Sequence, residues 1–164
     1  MKPKKIAFIG LTLALAMILS FVESRIPPLV AIPGIKVGLP NLVIVFLLYR
    51  FGWKEASLVN LMRVALVSVL FGNAQTFIFG IVGAAVSLVG MALLKKTDWF
   101  SCVAVSIAGG VLHNIGQIIT AIFWTETAQI VFYLPVLLVS GSVAGAVIGL
   151  VAGLLVKRLE RLKL

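Results

Sequence analysis

Two groups of polar residues stand out in this chain because hydrocarbon surrounds them. Arg63 sits near the middle of the apolar run 55–71, with Asn60 one turn before it on the same helical face. His113, Asn114 and Gln117 occupy the run 100–123; positions 113, 117 and 120 share a helical face, and Asn114 lies beside it. An ionisable group in hydrocarbon is costly, and where it is kept it pairs internally or serves a function. A guanidinium is planar, always charged and matched to carboxylate and phosphate groups. Arg63 therefore has two open readings: a cation held by backbone carbonyls, or a contact for an anionic ligand. The second group is open in the same way, since His113 is either a hydrogen-bonded packing residue or part of a cluster that reads a small polar molecule. Asn41 near the outer end of the second run, Gln75 at the start of the fourth, and Glu23 and Lys36 in the first external loop would close the same cavity from above.

Other chemistries lack their residues. The five carboxylates are Glu23, Glu55, Asp98, Glu126 and Glu160, and no Asp-Asp-x-x-Asp pairs them, so the magnesium site that a prenyl diphosphate needs is not encoded. One histidine and the lone Cys102 make neither a metal site nor a disulfide framework. No phosphate-binding GxxxxGK[ST] loop is present, and no Ser or Cys stands with a recognisable base and acid. The expectation is a protein that is not an enzyme and carries no cofactor and no metal.

What must position the polar groups is a bundle in a bilayer. The chain has 164 residues, 62% of them hydrophobic and 12% charged, with a mean hydropathy of +1.20. A soluble domain of this size has too much surface relative to volume to hide that share of apolar side chains. The net charge of +9 is dispersed at the ends of apolar runs, which suits anionic lipid headgroups and argues against nucleic acid. Lys2, Lys4, Lys5, Arg50, Lys54, Lys95, Lys96, Lys157, Arg158, Arg161 and Lys163 fall in alternate gaps, whereas the other gaps carry only Arg25 and Lys36. Positive charge is retained on the cytoplasmic side. The expected fold is thus an all-α integral membrane protein, a single transmembrane domain over residues 1–164. Its six transmembrane helices run at about 6–22, 39–51, 55–71, 75–94, 100–123 and 130–156, with the N- and C-termini cytoplasmic and the cell membrane as location. Trp53, Trp99 and Trp124 land at the expected interfaces, where an amphipathic ring prefers to sit. Pro135, near the start of the sixth run, marks a kink or a late helix start.

Close packing through small residues replaces the hydrophobic drive between helices in lipid. Gly141, Gly145, Gly149 and Gly153 recur at a spacing of four and form one groove on the last helix. Gly10 and Ala14 make a weaker pair on the first. Such stripes either pack the six helices together or dock a partner protein.

The segments Glu23-Ser24, Ile32-Pro33-Gly34-Ile35-Lys36-Val37-Gly38-Leu39-Pro40-Asn41, Leu61-Met62-Arg63-Val64, Leu70-Phe71-Gly72, His113-Asn114-Ile115-Gly116-Gln117 and Tyr133-Leu134-Pro135 carry a resemblance over nearly the whole chain. The chain resembles the Gx transporter family, also described as heptaprenyl diphosphate synthase component I. That family in turn looks like the substrate-binding S components of energy-coupling factor (ECF) transporters. The resemblance implies a six-helix S-component-like bundle and a small-molecule pocket in the outer half, lined by Glu23, Lys36, Asn41, Arg63, His113, Asn114 and Gln117. It also implies a partner, an ECF T protein with its ATPases, docked through small residues such as Gly10 and Ala14 of the first helix. Two other readings follow from the same resemblance: a membrane accessory subunit of a prenyl diphosphate synthase, or an anchor for a redox partner in extracellular electron transfer.

Overall fold

A computed structural model describes residues 3–26 and 37–159. Among them the chain is helical, with α1 over Pro3–Arg25, α2 over Asn41–Arg50, α3 over Trp53–Phe71, α4 over Ala74–Lys96, α5 over Cys102–Thr125 and α6 over Leu134–Leu159. A 3-10 turn over Ala128–Tyr133 leads into α6, which opens with Leu134 and Pro135 in its first turn, where a missing N–H costs nothing. Pro135 therefore marks a late α-helix start, and the residues just before it are wound as a 3-10 turn.

Local chemistry sets the boundaries. The Asn73 side chain accepts from the backbone N–H of Thr76 at 2.9 Å and starts α4. Ser101 accepts from the N–H of Ala104 at 3.2 Å and starts α5. Between α2 and α3 the chain reverses at Gly52, whose φ of 109° a side chain would resist.

Four stretches are long and apolar enough to cross a membrane: Pro3–Arg25, Ala74–Lys96, Cys102–Thr125 and Ala128–Leu159. α2 has only 10 residues, roughly 15 Å against a hydrocarbon core of about 30 Å. α3 has 19 residues, but Lys54, Glu55, Asn60 and Arg63 lower its apolar character.

α2 is the centre of the bundle. It packs against α1, α3, α5 and α6, and every residue from Val43 to Leu48 is buried. The apolar cluster gathers around it: Ile9 and Ala16 of α1, Ala56 and Val59 of α3, Leu88 and Met91 of α4, Val105 of α5, and Ile148 and Ala152 of α6. These residues occupy the half of the bundle that contains the α2–α3 turn. The same end collects the basic residues: Lys5 pairs with Glu55 at 2.5 Å. Lys95 Nζ donates to the Leu48 carbonyl at 2.5 Å, satisfying an acceptor at the C-terminal end of α2, and lies 5.2 Å from the Tyr49 ring centroid. Toward the other end the buried side chains include Ser20, Ser68, Asn114 and Thr120. The hydroxyls of Ser20 and Thr120 bond the carbonyls of Ala16 and Gly116, each at 2.8 Å, so they need no water in a dry interior.

Candidate functional site

Arg63 stands on α3 where that helix meets α1. The α2–α3 hairpin fixes its depth: Asn41 and Arg63 lie eleven residues to either side of Gly52, so both sit about 15 Å above the turn. α1 and α3 run parallel, joined by Lys5–Glu55 at the basic end and by a Phe21–Phe71 ring contact with centroids 5.2 Å apart at the other. Arg63 fills the seam between these two contacts.

Among the described residues the guanidinium has few partners. Its Nη2 donates to Asn60 Oδ1 at 2.8 Å, and its Nη1 donates to Ser20 Oγ of α1 at 3.5 Å. Nε is buried and bonds nothing among the described residues. An arginine has five N–H donors, and two of them are bonded among the described residues. Glu23, one turn beyond Ser20, is the carboxylate whose charge acts on Arg63. Its Oε1 also accepts from the backbone N–H groups of Gly38 and of Leu39, the latter at 3.4 Å. Gly38 holds a φ of 79°, a left-handed conformation that suits glycine. Its carbonyl takes the N–H of Asn41 at 2.9 Å, and a Cβ at Gly38 would lie 3.7 Å from Asn41 Nδ2. Glu23, Asn41 and Arg63 therefore belong to one region, where α1, the start of α2 and α3 converge. Lys36 lies outside the described residues.

His113, Asn114 and Gln117 fall on α5, whose partners are α4 and α6. The His113 imidazole packs over Gly83 of α4, so that a Cβ there would come within 2.9 Å of its Cε1. Asn114 Nδ2 donates to the Leu137 carbonyl of α6 at 2.5 Å, which ties α5 to α6. Gln117 is half-buried one turn further along. Arg63, Glu23 and Asn41 thus lie where α1, α2 and α3 meet, and His113, Asn114 and Gln117 on α5 between α4 and α6. Asn114 uses its amide for helix packing.

The glycine stripe of α6 faces the same chain. A Cβ at Gly145 would lie 2.7 Å from Ile107 Cα and from the Ser106 carbonyl, and one at Gly149 would lie 2.7 Å from Val103 Cα. Gly141 meets the backbone of Gly110 at 2.9 Å on the same construction, and Gly153 looks toward Cys102 at 3.8 Å. α5 occupies this groove, so the partner-docking reading of Gly141, Gly145 and Gly149 is corrected to internal packing; helices can approach this closely because no side chain intervenes. Gly10 meets nothing within 4 Å, and Ala14 is exposed beside it.

Ser20 is a partner of Arg63 that the sequence analysis did not single out. Its signal was a hydroxyl three positions before Glu23 on an otherwise apolar helix. An open cavity of about 590 Å³ lies between the facing ends of α3 and α4, lined by Ala65, Ser68, Val69, Gly72, Asn73, Ala74 and Phe77. None of the expected site residues lines it. Among the described residues no cluster of three His, Cys, Asp or Glu side chains could hold a metal ion.

No curated protein and no solved structure matches the chain. A family model described as heptaprenyl diphosphate synthase component I matches residues 12–155, a range that includes α2 to α5 entirely, most of α1 and α6, and every residue of the Arg63 group. The chain belongs to the heptaprenyl diphosphate synthase component I family.

Proposed function

We propose that this chain is the ligand-binding membrane component of a small-molecule uptake system resembling an ECF S component. The observation that carries the reading is Arg63, a guanidinium at mid-depth with few partners among the described residues, beneath a chain segment held by Glu23. A cation kept in such a place at a cost in desolvation has its use in a ligand that completes it. Glu23, Asn41 and Asn60 would orient that ligand, and Lys36 is a further contact by position in the sequence. His113 and Gln117 approach from α5. The chain acts as a binder and not a catalyst.

In this reading all six helices make passes through the cell membrane, α2 covering about half of its own as helix. The basic end, with both termini, faces the cytoplasm by the distribution of Lys and Arg. A T-like partner with ATPases would meet the chain on the open face of α1, at Gly10 and Ala14. A second reading follows from the family's description: an accessory membrane subunit of a prenyl diphosphate synthase whose catalytic carboxylates reside on another chain.

The test is purification in mild detergent with mass spectrometry of co-purifying small molecules, for wild type and Arg63→Ala. One stoichiometric compound, lost in Arg63→Ala while the variant remains folded, is the expected result. An empty wild type that brings down a synthase or redox subunit would reject the uptake reading in favour of the accessory one.

A further inference from the structure

We propose that the α4–α5 turn and the last turn of α6 form a binding site for the headgroup of an anionic phospholipid, built from Lys96, Trp99 and Lys157. The three residues stand around the start of α5. Lys96 ends α4, and Trp99 lies in the turn that follows it. On the other side α6 passes the start of α5 at Gly153, where a Cβ would lie 3.8 Å from that of Cys102. Lys157 is one turn beyond Gly153 on the same helical face. All three are exposed, and Trp99, at 89%, touches little of its own chain. An indole left outside a bundle in this way suits the boundary between headgroups and acyl chains. The site is independent of what Arg63 binds.

Charge and apolar surface select the same occupant. By sequence the segments at the basic end carry eleven Lys and Arg against Glu55, Asp98 and Glu160. That count includes Lys2, Glu160, Arg161 and Lys163, which lie outside the described residues. Two of the cations are engaged within the bundle, Lys5 with Glu55 and Lys95 with the Leu48 carbonyl. Asp98, the carboxylate of the α4–α5 turn, acts by its charge on Lys95 and on Tyr49. Lys54 stands 6.0 Å from the ring centroid of Trp53, the other exposed tryptophan of this end. Lys96 and Lys157 differ from these. Each follows, three positions on and on the same helical face, an exposed leucine: Leu93 at 62% and Leu154 at 63%. In a bilayer such leucines meet acyl chains, and a cation one turn beyond them meets headgroups. A soluble anion would use the cations and leave Trp99 and the leucines without a partner. An acidic protein docked on the end of the bundle would not reach Leu93 and Leu154 in the hydrocarbon. A phospholipid with a negative headgroup satisfies both parts with one molecule.

The experiment uses the full chain with Trp53→Phe and Trp124→Phe, which leaves Trp99 as its one tryptophan. The protein is placed in nanodiscs of phosphatidylcholine and phosphatidylglycerol at about three to one, with equal amounts of brominated chains on one lipid or the other, and quenching of Trp99 fluorescence is read. Brominated phosphatidylglycerol is expected to occupy the site with at least about fivefold preference over brominated phosphatidylcholine, the contribution of one Lys near an anionic surface. Adding Lys96→Gln/Lys157→Gln should bring the ratio close to one with the unfolding midpoint unchanged. Adding Lys2→Gln/Lys4→Gln instead removes the same charge at the start of α1, which packs on α2 and α3, and should leave the preference intact. Equal quenching by the two lipids in the starting protein would overturn the proposal and leave the patch to an acidic protein. An equal fall in both pairs of variants would also overturn it, since a diffuse field of the whole basic end would then attract the lipid without a site.

Discussion

The seam between α5 and α6 and the seam between α1 and α3 solve the same problem by different means. In the first, Gly141, Gly145 and Gly149 bring backbone against backbone, and one side-chain hydrogen bond, from Asn114 to the Leu137 carbonyl at 2.5 Å, fixes the pair. In the second, parallel helices are held by an ion pair at one end, an aromatic contact at the other and a partly bonded guanidinium between them. Glycine packing leaves no room and no unmet group, which suits a permanent contact. The α1–α3 seam keeps a charged donor only partly bonded among the described residues, which a design for stability alone would replace by apolar residues. The difference separates a closed seam from the one in which the proposed ligand contact lies.

The comparison breaks first at Gly145. A leucine there must displace the α5 backbone, and Gly145→Leu is expected to cost at least about 3 kcal/mol or to prevent folding; a wild-type unfolding midpoint in detergent would remove the claim that this seam is scaffold. Asn114→Ala should cost about 0.6 kcal/mol and at most about 2 kcal/mol, the span found for interhelical bonds in membranes, with no loss of ligand beyond what destabilisation explains. Arg63→Leu tests the opposite seam. It is expected to hold or raise the unfolding midpoint while abolishing ligand binding, and a large fall in the midpoint would show Arg63 to be structural. Lys5→Ala removes a half-exposed ion pair and should change stability by under about 1 kcal/mol, less in high salt. Gly10→Leu, on the open face of α1, is expected to leave unfolding unchanged and to weaken only capture of a T-like partner; an unfolded variant would place that face inside the bundle.

Much of the fold was legible because membrane helices are written in one dimension. Apolar runs and the Lys and Arg between them marked where helices begin and end, and Asn73 and Ser101 supplied their own caps. The 3-10 turn at Ala128–Tyr133 was less legible, since its residues are as apolar as those of the helix that follows and only Pro135 hinted at the break. The site was legible by residue type and not by grouping. Arg63, Glu23 and Asn41 were each identifiable as polar groups in or beside apolar runs. How they stand relative to His113, Asn114 and Gln117 was not legible, because face and depth on different helices are related only through packing.

Composition and charge order by themselves determined that this chain is a helical, membrane-type bundle with one basic end, since burying apolar side chains and leaving charge at helix ends are properties of single segments. The tertiary structure alone decided that the shortest helix is the central one, that the glycine stripe of α6 is filled by α5, and that Ser20 is a partner of Arg63. Each of these depends on which helix lies beside which. Neighbours in a bundle are chosen by the fit of surfaces from distant parts of the chain, and no local stretch of sequence carries that fit.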